Sequence, residues 1–383
     1  MGRKVQAALP PVLRMSPVRV FADYHHHDLM WSLLRLFEKR LGWELYRPIG
    51  VEWFQEGFWK IAEPYGNAPD TISQYLGIGG GPVDLLRRLN GDAYPAPSGP
   101  PGVYHVDDPG HPGTTHKAIT LAAFKETPFD LIVSTYGPPH DHAYDLLQRL
   151  YQPKAKRLAQ MGNWQQQSHV GHVLHSAPWT APGAGAPTNQ QRLHYHQEID
   201  LALYRHEPPP VVESLGVDPF PRQIKSMVNL LPAPQIYAAF KAALPEATFR
   251  AHGVGDNCTD GILKGAVEVS AAMRQSHLGW HIKPFDGFGH TAMGWMATGR
   301  GVITRMDEIQ EYGHDAPRLF VPGETCIAIQ GWDVEAGATK IRRALEPDEC
   351  VRYGAAARAR FDEICNYDAE EIEIRRFLEG LMA

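Results

Sequence analysis

The hydrophobic pattern of the first 150 residues predicts strands that alternate with helices. Residues 18–23 (VRVFAD) form an apolar run that ends in aspartate, and residues 28–42 (DLMWSLLRLFEKRLG) place leucine and phenylalanine on one helical face before a glycine. A strand is expected at ELYRPIG, and residues 129–142 (FDLIVSTYGPPHDH) predict a buried strand that enters a proline-rich turn. This alternation is typical of a mostly parallel sheet covered on both faces.

The same alternation resumes after a region rich in proline and glycine. Residues 175–191 and 205–212 (RHEPPPVV) have few apolar anchors, and a stiff connector of this kind separates domains. Beyond it, IYAAFKAAL, AVEVSAAMRQS and HTAMGWMATG predict helices, while ATFRAHG, LGWHIKP and GVITR predict strands. The chain of 383 residues exceeds the usual size of one core. We therefore predict an N-terminal domain over 1–205, a C-terminal domain over 206–355 and terminal helices over 356–383.

Composition narrows the class of protein. Hydrophobic residues make up 43% and charged residues 21% of the chain, as in soluble enzymes, and no apolar run is long enough to span a bilayer. Pro10, Pro11 and Arg14 interrupt the segment that a signal peptide needs, and the four cysteines form no CxxC pair. We expect a cytoplasmic protein. The net charge of −6 provides no general attraction to nucleic acid.

Residues 286–305 (DGFGHTAMGWMATGRGVITR) combine a glycine turn with the start of a predicted helix. The backbone N–H groups at a helix N-terminus lie at the positive end of its dipole and attract anions. Glycine lacks the Cβ that would keep a phosphate away from the backbone. The stretch therefore predicts a cradle for a diphosphate, and a tightly packed turn without a ligand is the alternative.

This segment resembles the donor-binding signature of the GT-B glycosyltransferases: an acidic residue, Gly-Phe-Gly, a helix and then A-x-G-x-x-V-I. Asp286 precedes the GFG turn here, and MATGRGVI follows at the matching distance. The tail YGAAARARFDEICNYDAEEIEIRRFLEGL is similar to the common ending of that family. The resemblance implies an α/β GT-B fold, with two Rossmann-like domains that face a central cleft. It also implies that a C-terminal helix crosses back to the N-terminal domain.

The resemblance implies roles for individual residues of the C-terminal half. Gly289, His290 and Thr291 would meet the donor diphosphate, and Asp286 would face the sugar hydroxyls. Retaining members carry a glutamate eight residues after the first acid, where this chain has Gly294, so the ribose contact and the anomeric outcome stay open. Basic side chains and residues at strand ends add candidates for donor binding. The predicted donor-binding residues are Arg222, Lys225, His252, Gly253, Lys283, Gly287, Phe288, Gly289, His290 and Thr291.

The segment DYHHHDL follows the first predicted strand, where its helix begins. A histidine there can take a proton from an acceptor hydroxyl, and a nearby aspartate can fix its tautomer. Three successive histidines cannot all face one way. We therefore predict that the catalytic residues are His26, His27, Asp28 and Asp286, with Asp28 as a helix N-cap being the alternative.

Metal binding competes with this interpretation of the histidines. HHHD, together with PPHDH and HPGTTH (His111 and His116), offers imidazoles and carboxylates for a divalent ion of a hydrolase. None of these motifs has the HExxH spacing, and the resemblance implies no chelated metal for the donor. We predict no metal site and no cofactor apart from a nucleotide-diphosphate sugar as co-substrate.

A basic segment between residues 149 and 157 is a candidate surface for acceptor binding. Basic side chains interleaved with aromatic ones suit a nucleic-acid backbone, an extruded base, an anionic glycan or a lipid headgroup, and a solvated helix face is the alternative. The predicted acceptor-binding residues are Arg149, Lys154, Lys156, Arg157 and Trp164.

These features together predict a glycosyltransferase that moves a hexosyl or pentosyl group from a nucleotide-diphosphate sugar, with UDP-glucose or another UDP-sugar favoured, to a hydroxyl. FADYHHHDLMWSLLRLFEKRLGWELYRPIGVEWF is similar to glycosyltransferase-like proteins of phage and metagenomic sequences. Some phage enzymes of this broad fold glycosylate hydroxymethylated pyrimidines, so DNA is a candidate acceptor. The alternatives are a non-catalytic sugar-nucleotide or DNA-binding protein on a GT-B scaffold and a metal-dependent hydrolase.

Overall fold

The computed structural model of the chain has an α/β architecture built on two separate large sheets. The structure describes residues 17–22, 27–49, 99–108, 110–135, 138–162, 167–176, 181–182, 186–210, 222–227, 234–253, 258–282, 289–306, 316–330 and 333–383. The first sheet is formed by residues before position 195, and the second sheet by residues after position 221.

The first sheet has eight described strands in the order β10-β8-β6-β5-β1-β2-β4-β3, and only the β3–β4 pair is antiparallel. Its strands are β1 (Arg19–Ala22), β2 (Glu44–Pro48), β3 (Val103–Asp107), β4 (Thr115–Ile119), β5 (Leu131–Thr135), β6 (Lys156–Met161), β8 (His172–His175) and β10 (Gln191–His194). Two short strands, β7 (Gln167–Ser168) and β9 (Ala181–Pro182), pair separately.

Helices cover both faces of this sheet, as its apolar strands require. They are α1 (His27–Leu34), which continues as π-helical turns over Arg35–Arg40, α2 (Leu121–Glu126) and α3 (Pro138–Tyr151). On β1, Val20 faces a core shared with α1, while Phe21 faces the opposite core, which contains Tyr144 and Leu147 of α3. The helices α1 and α3 therefore lie on opposite faces.

The second sheet has five described strands, all parallel, in the order β12-β11-β13-β14-β15. They are β11 (Arg222–Met227), β12 (Ala247–His252), β13 (Leu278–Trp280), β14 (Gly301–Arg305) and β15 (Cys326–Ile329). The helices of this half are α4 (Pro234–Ala243), α5 (Gly265–Arg274), α6 (His290–Ala297), α7 (Ala316–Leu319), α8 (Val334–Ala344) and α9 (Pro347–Ile364).

The last helix, α10 (Tyr367–Met382), returns to the first sheet. Asn366 caps it by accepting a hydrogen bond from the backbone N–H of Ala369, and Ile374, Leu378 and Leu381 join the apolar core beside α1. The predicted crossing of the C-terminal helix to the N-terminal half is therefore confirmed. No helix in the described part of the chain is both long and apolar enough to cross a bilayer.

The segment that links the two sheets packs mainly with the second half. Ile199 and Tyr204 belong to the apolar core formed by α5, α6 and α9. The hydroxyl of Tyr367 accepts a hydrogen bond from the backbone N–H of Ile199 (3.3 Å), so the two segments that cross between the halves lie side by side. The domain boundary between residues 205 and 206 stays a prediction.

Candidate functional site

The N-terminus of α6 lies where the glycine turn predicts it. Gly289 precedes the helix in an extended conformation (φ −73°, ψ 142°), and His290 is the first helical residue. The amides of Ala292 and Met293 donate to the Gly289 carbonyl at 3.0 and 3.3 Å. The amides of His290 and Thr291 come before these first intrahelical hydrogen bonds, at the positive end of the helix dipole.

The imidazole of His290 is held neutral at this helix start. Its burial, together with the nearby His111, lowers the pKa of His290 to about 4. His111 belongs to the loop between β3 and β4 of the first half. The beginning of α6 therefore lies near the β3–β4 loop of the first half.

The loop that carries His111 is fixed by a buried aspartate, Asp108. Its carboxylate accepts hydrogen bonds from the amides of Gly110 (2.8 Å) and His111 (3.1 Å), and its Oδ2 lies 2.6 Å from Nε2 of His116. Burial alone would raise the pKa of Asp108, but the interactions with both histidines outweigh it and hold that pKa well below its usual range. The loop is therefore anchored by a charged group.

Two further contacts attach this loop to its surroundings. The ring of His111 stacks on Trp31 of α1, with ring centroids 5.1 Å apart and an interplanar angle of 19°. The carbonyl of Gly110 accepts a hydrogen bond from the amide of Ala266, in the first turn of α5 (3.1 Å). The β3–β4 loop thus joins α1 to the N-terminus of α5 and lies near the start of α6. The sequence singled out His111 and His116 only as candidate metal ligands, and it provided no signal for Asp108 or Trp31.

A cavity of about 770 Å³ opens beside Trp31. Its walls come from α1 and its π-helical turns, from the β3–β4 loop and the first residue of β4, and from both segments that cross between the halves. The lining residues are Trp31, Leu34, Arg35, Glu38, Lys39, Arg40, Gly113, Thr114, Thr115, Glu198, Ile199, Asp200, Leu201, Ala202, Asp362, Cys365, Asn366, Tyr367 and Asp368.

Ion pairs organise one wall of this cavity. The two carboxylate oxygens of Glu198 bind Nε of Arg35 (3.1 Å) and Nε of Arg40 (2.6 Å). Arg40 also donates to Asp368 on α10 at 2.8 Å. Burial lowers the pKa of Arg40, but its hydrogen bonds to Glu198, Asp368 and Glu371 outweigh that effect and raise its pKa. Arg40 therefore stays charged and ties both crossing segments to α1.

The other predicted donor-binding residues fall into two groups. His252 ends β12, where burial lowers its pKa, and Gly253 follows with a φ of 146° that favours glycine. Both lie at the carboxyl end of a strand, as expected. Arg222 is the first residue of β11, so it lies at the amino ends of the strands. Nζ of Lys225 donates to the Ala272 carbonyl of α5 (3.1 Å). These positions provide no support for a donor contact by Arg222 or Lys225.

Burial explains the lowered pKa of Lys225. Its side chain is enclosed between β11 and α5, and burial lowers its pKa to about 8. The ammonium group of Lys225 therefore binds α5 to β11. Lys283, Asp286, Gly287 and Phe288 lie outside the described residues.

The predicted catalytic segment is described only in part. α1 begins at His27, so the backbone of Asp28 lies within the first helical turn, and both roles of Asp28, catalytic residue or N-cap, stay predictions. His27 precedes Trp31 by four residues, which is about one helical turn. His26 lies outside the described residues.

Four of the five predicted acceptor residues lie on α3 or near the start of β6, and their role in acceptor binding stays a prediction. Arg149 is on α3, on the opposite face of the sheet from α1, and Lys154 and Lys156 are exposed near the start of β6. Arg157 binds Asp145 at 3.0 Å. None of these four residues lines the cavity, and Trp164 lies outside the described residues.

Packing accounts for the glycine at position 294. A Cβ there would lie 2.9 Å from Cε1 of Tyr204 and 3.0 Å from Sδ of Met273. The position faces the core between α5, α6 and the linker segment, so a glutamate does not fit without displacement of its neighbours. Among the described residues, no group of three or more His, Cys, Asp or Glu side chains is arranged to hold a metal ion.

Comparison with solved structures identifies this architecture. Sucrose-phosphate synthase from Thermosynechococcus elongatus is similar, with a TM-score of 0.57 and 12% identity over 95% of this chain and 99% of the other. HepE from Anabaena, in complex with UDP-glucose, has a TM-score of 0.54 and 12% identity over 94% of this chain and 99% of its own. TarM has a TM-score of 0.54 and 8% identity over 97% of this chain and 100% of its own.

These likenesses extend over nearly the whole chain and therefore include both sheets. The sequence matches no family model and no curated protein. The protein has the GT-B fold of the glycosyltransferases, with two Rossmann-like domains and a last helix that crosses back to the first.

Proposed function

We propose that the protein is a glycosyltransferase that moves a sugar from a nucleotide-diphosphate sugar to a hydroxyl acceptor. One observation supports this proposal: α6 of a GT-B fold begins at His290, directly after Gly289, and His290 lies near His111 of the first half. A UDP-sugar is the favoured donor, since HepE was solved with UDP-glucose. No other cofactor is required by this chemistry.

The helix start provides the means to stabilise a leaving diphosphate. The amides of His290 and Thr291 donate to phosphate oxygens, where the helix dipole favours negative charge. The neutral imidazole of His290 adds a hydrogen-bonding group at the same end. His111 approaches from the opposite half, so the diphosphate is enclosed from two sides. Asp286 then faces the sugar hydroxyls.

The proton of the acceptor hydroxyl needs a base on the first half. We assign it to His26 or His27 with Asp28, in the first turn of α1 or just before it. The acceptor oxygen bonds to the anomeric carbon while the bond from that carbon to the diphosphate breaks. The proton passes to the imidazole, and the nucleoside diphosphate leaves.

Several finer statements stay predictions. A hydroxymethylated pyrimidine in DNA stays a hypothesis, and the basic residues Arg149, Lys154, Lys156 and Arg157 do not line the cavity beside Trp31. A hexosyl or pentosyl donor, a phage origin and a cytoplasmic location are likewise hypotheses. A non-catalytic sugar-nucleotide-binding protein is the second candidate, and Gly294 favours it because the glutamate of retaining members is missing.

Donor turnover tests the proposal. The protein is incubated with UDP-, GDP- and dTDP-sugars, and the release of free nucleotide is measured together with UDP binding by calorimetry. We expect UDP release from at least one UDP-sugar. Binding without release from any donor and acceptor would favour the non-catalytic candidate, and the lack of any binding would reject both.

A pair of variants at Thr291 tests the helix start itself. Thr291→Pro removes one amide in the first turn, where proline is tolerated, while Thr291→Ala keeps that amide. A hydrogen bond to a charged group contributes about 1.5–3 kcal/mol, so UDP should bind roughly tenfold more weakly to the proline variant than to the alanine variant. Equal affinities would place the diphosphate elsewhere.

A further inference from the structure

A histidine of the first half lies near the helix start that we propose for the donor diphosphate. The carbonyl of Gly110 accepts a hydrogen bond from the amide of Ala266 (3.1 Å), so the β3–β4 loop touches the first turn of α5. Ala266 and Ala292 belong to one apolar core, which places the first turns of α5 and α6 side by side. His111 follows Gly110 in the chain and therefore lies near the start of α6.

Contacts on two sides hold the ring of His111 in place. The ring stacks on Trp31, and only 2% of the residue is exposed. The backbone N–H of His111 donates to Oδ1 of Asp108 (3.1 Å), and Nδ1 of the ring lies 3.6 Å from the same oxygen, within ion-pair distance. The imidazole is therefore positioned beside a carboxylate before any ligand arrives.

This carboxylate is shared by two imidazoles. Oδ2 of Asp108 lies 2.6 Å from Nε2 of His116, and that pair can balance one positive charge. Asp108 stays ionised, because its interactions with both histidines outweigh the effect of burial on its pKa. A second positive charge, on His111, would need a further negative charge nearby. An anion bound at the start of α6 would provide it.

The other described charges near His111 do not provide it. Besides Asp108 and His116, the charged and titratable groups on the elements around the ring are Asp107 of β3, Arg35 of α1, His290 of α6, and Lys264 and Glu268 at the start of α5. Burial lowers the pKa of His290 to about 4, so His290 is neutral. Asp107 and Glu268 are exposed, where solvent screens their charges, and Arg35 is positive.

We propose that binding of the donor diphosphate is coupled to protonation of His111, and that Asp108 is the positioning residue that makes this possible. The inference rests on the proposed glycosyltransferase function and adds a proton to its donor-binding step. The proton comes from solvent, and the imidazolium then donates to a phosphate oxygen. Its positive charge also offsets the negative charge that grows on the leaving diphosphate as the bond to the anomeric carbon breaks.

The coupling gives donor binding a defined pH dependence. The complex holds one more proton than the free protein, so the affinity rises as the pH falls, by at most about tenfold per pH unit. A nucleotide-diphosphate sugar has no ionisation of its phosphates between pH 5.5 and 7.5, and His290 stays neutral there. A change of affinity in this range therefore reports a group of the protein.

Calorimetry with UDP-glucose and UDP-N-acetylglucosamine tests the coupling. Titrations in buffers of different ionisation enthalpy give the number of protons taken up. For the sugar nucleotide that binds more tightly, we expect uptake of about half a proton or more at pH 6.5 and a roughly tenfold gain in affinity from pH 7.5 to 5.5. His111→Gln should abolish both effects. His105→Gln, at an exposed position of β3, is the matched control and should retain them.

Asp108→Asn tests the positioning residue. An asparagine oxygen can still accept from the amides of Gly110 and His111, but the negative charge is lost. We expect about tenfold weaker binding at pH 5.5, little change at pH 7.5, and less than half the original proton uptake. A residue that only supports the fold would change the affinity at both pH values alike. Unchanged proton uptake in Asp108→Asn would overturn its role.

Two results separate this inference from the proposed function. Sugar-nucleotide binding without proton uptake would overturn the coupling and keep the donor site, whereas a lack of binding at every pH would reject the donor site itself. His116→Gln covers the case in which Asp108→Asn fails to fold. Proton uptake that is lost in His116→Gln but retained in His111→Gln would overturn the assignment to His111.

Discussion

Two arginines anchor the segments that cross between the halves, and they do so with different partners. Arg300 is fully buried, and its guanidinium donates only to backbone carbonyls. These carbonyls belong to Glu207, Arg274, Ser276, Thr298 and Gly299. Arg40 is partly exposed at the cavity wall, and its guanidinium donates to the carboxylates of Glu198, Asp368 and Glu371.

The difference shows that the surroundings of Arg300 are rigid, whereas the surroundings of Arg40, called the adaptable wall below, can rearrange. The hydrogen bonds of Arg300 to Ser276, Thr298 and Gly299 are buried, so loss of their donor leaves buried carbonyls unsatisfied. Water reaches the groups around Arg40 through the cavity, so a broken ion pair there is replaced by hydration. The second half is therefore held rigidly at the linker, whereas the wall of the first half can adjust.

The largest effect is expected from removal of Arg300. Arg300→Met leaves buried carbonyls without donors, and we expect the free energy of unfolding to fall by about 4 kcal/mol. Denaturant unfolding measures this change. The control is Arg343→Met, because Arg343 is 76% exposed and its loss should change stability by less than about 0.5 kcal/mol. A loss below about 1 kcal/mol for Arg300→Met would remove the distinction between the two arginines.

The next effect concerns the packing of the linker against α6. Gly294→Glu pushes a side chain against Tyr204 and Met273 and buries a carboxylate, so we expect a loss of about 3 kcal/mol. Gly380→Glu is the matched control, since nothing lies within 4 Å of its built Cβ and helix propensity favours the change. Unfolding of both variants is compared. Unchanged stability of Gly294→Glu, with tighter UDP binding, would contradict the rigid framework.

The stability that the buried, neutral imidazole of His290 contributes should decrease in acid. The pKa of His290 is about 4 in the folded protein, below its ordinary value of 6.5, so the unfolded chain takes up the proton first. Stability contributed by the neutral imidazole is present above pH 6.5 and decreases as the pH falls towards 4, by about 2 kcal/mol at pH 5.

His290→Gln tests that expectation by removing the titrating group. Unfolding at pH 5 and pH 7.5 should differ less in the variant than in the original protein. His169 is an internal contrast: its hydrogen bond with Asp145 raises its pKa, so its contribution is present at low pH and is lost as the pH rises. If the free energy of unfolding of His290→Gln depended on pH as strongly as that of the original protein, protonation of His290 would not affect stability.

The smallest effect is expected at the adaptable wall. Glu198→Gln weakens the pairs with Arg35 and Arg40 and should cost only about 1 kcal/mol, with less loss at high salt. Glu246→Gln, in the exposed pair with Arg342, is the control. Unfolding in low and high salt measures both. A loss as large as that of Arg300→Met would show that both sides of the junction are equally rigid.

Much of the fold was predictable because it depends on contiguous residues. The apolar runs at β1, β5 and β14, the helical faces of α1 and α5, and the break at Asn366 are all local patterns. The start of α6 directly after Gly289 was predictable for the same reason, because the glycine and the apolar residues that follow it are neighbours in the sequence. The π-helical turns of Arg35–Arg40 were not predicted, because they depend on how α1 meets its neighbours.

The chain by itself thus determined the alternation of strands and helices and the start of α6 directly after Gly289. Only the tertiary structure showed that Lys225 serves a helix carbonyl and that His111 meets Trp31 and His290. The cavity also forms only in the tertiary structure. Its wall joins Arg35 to Glu198, 163 residues away, and Arg40 to Asp368, 328 residues away. Periodicity acts over a few residues, whereas burial and charge pairing are set by which distant segments pack together.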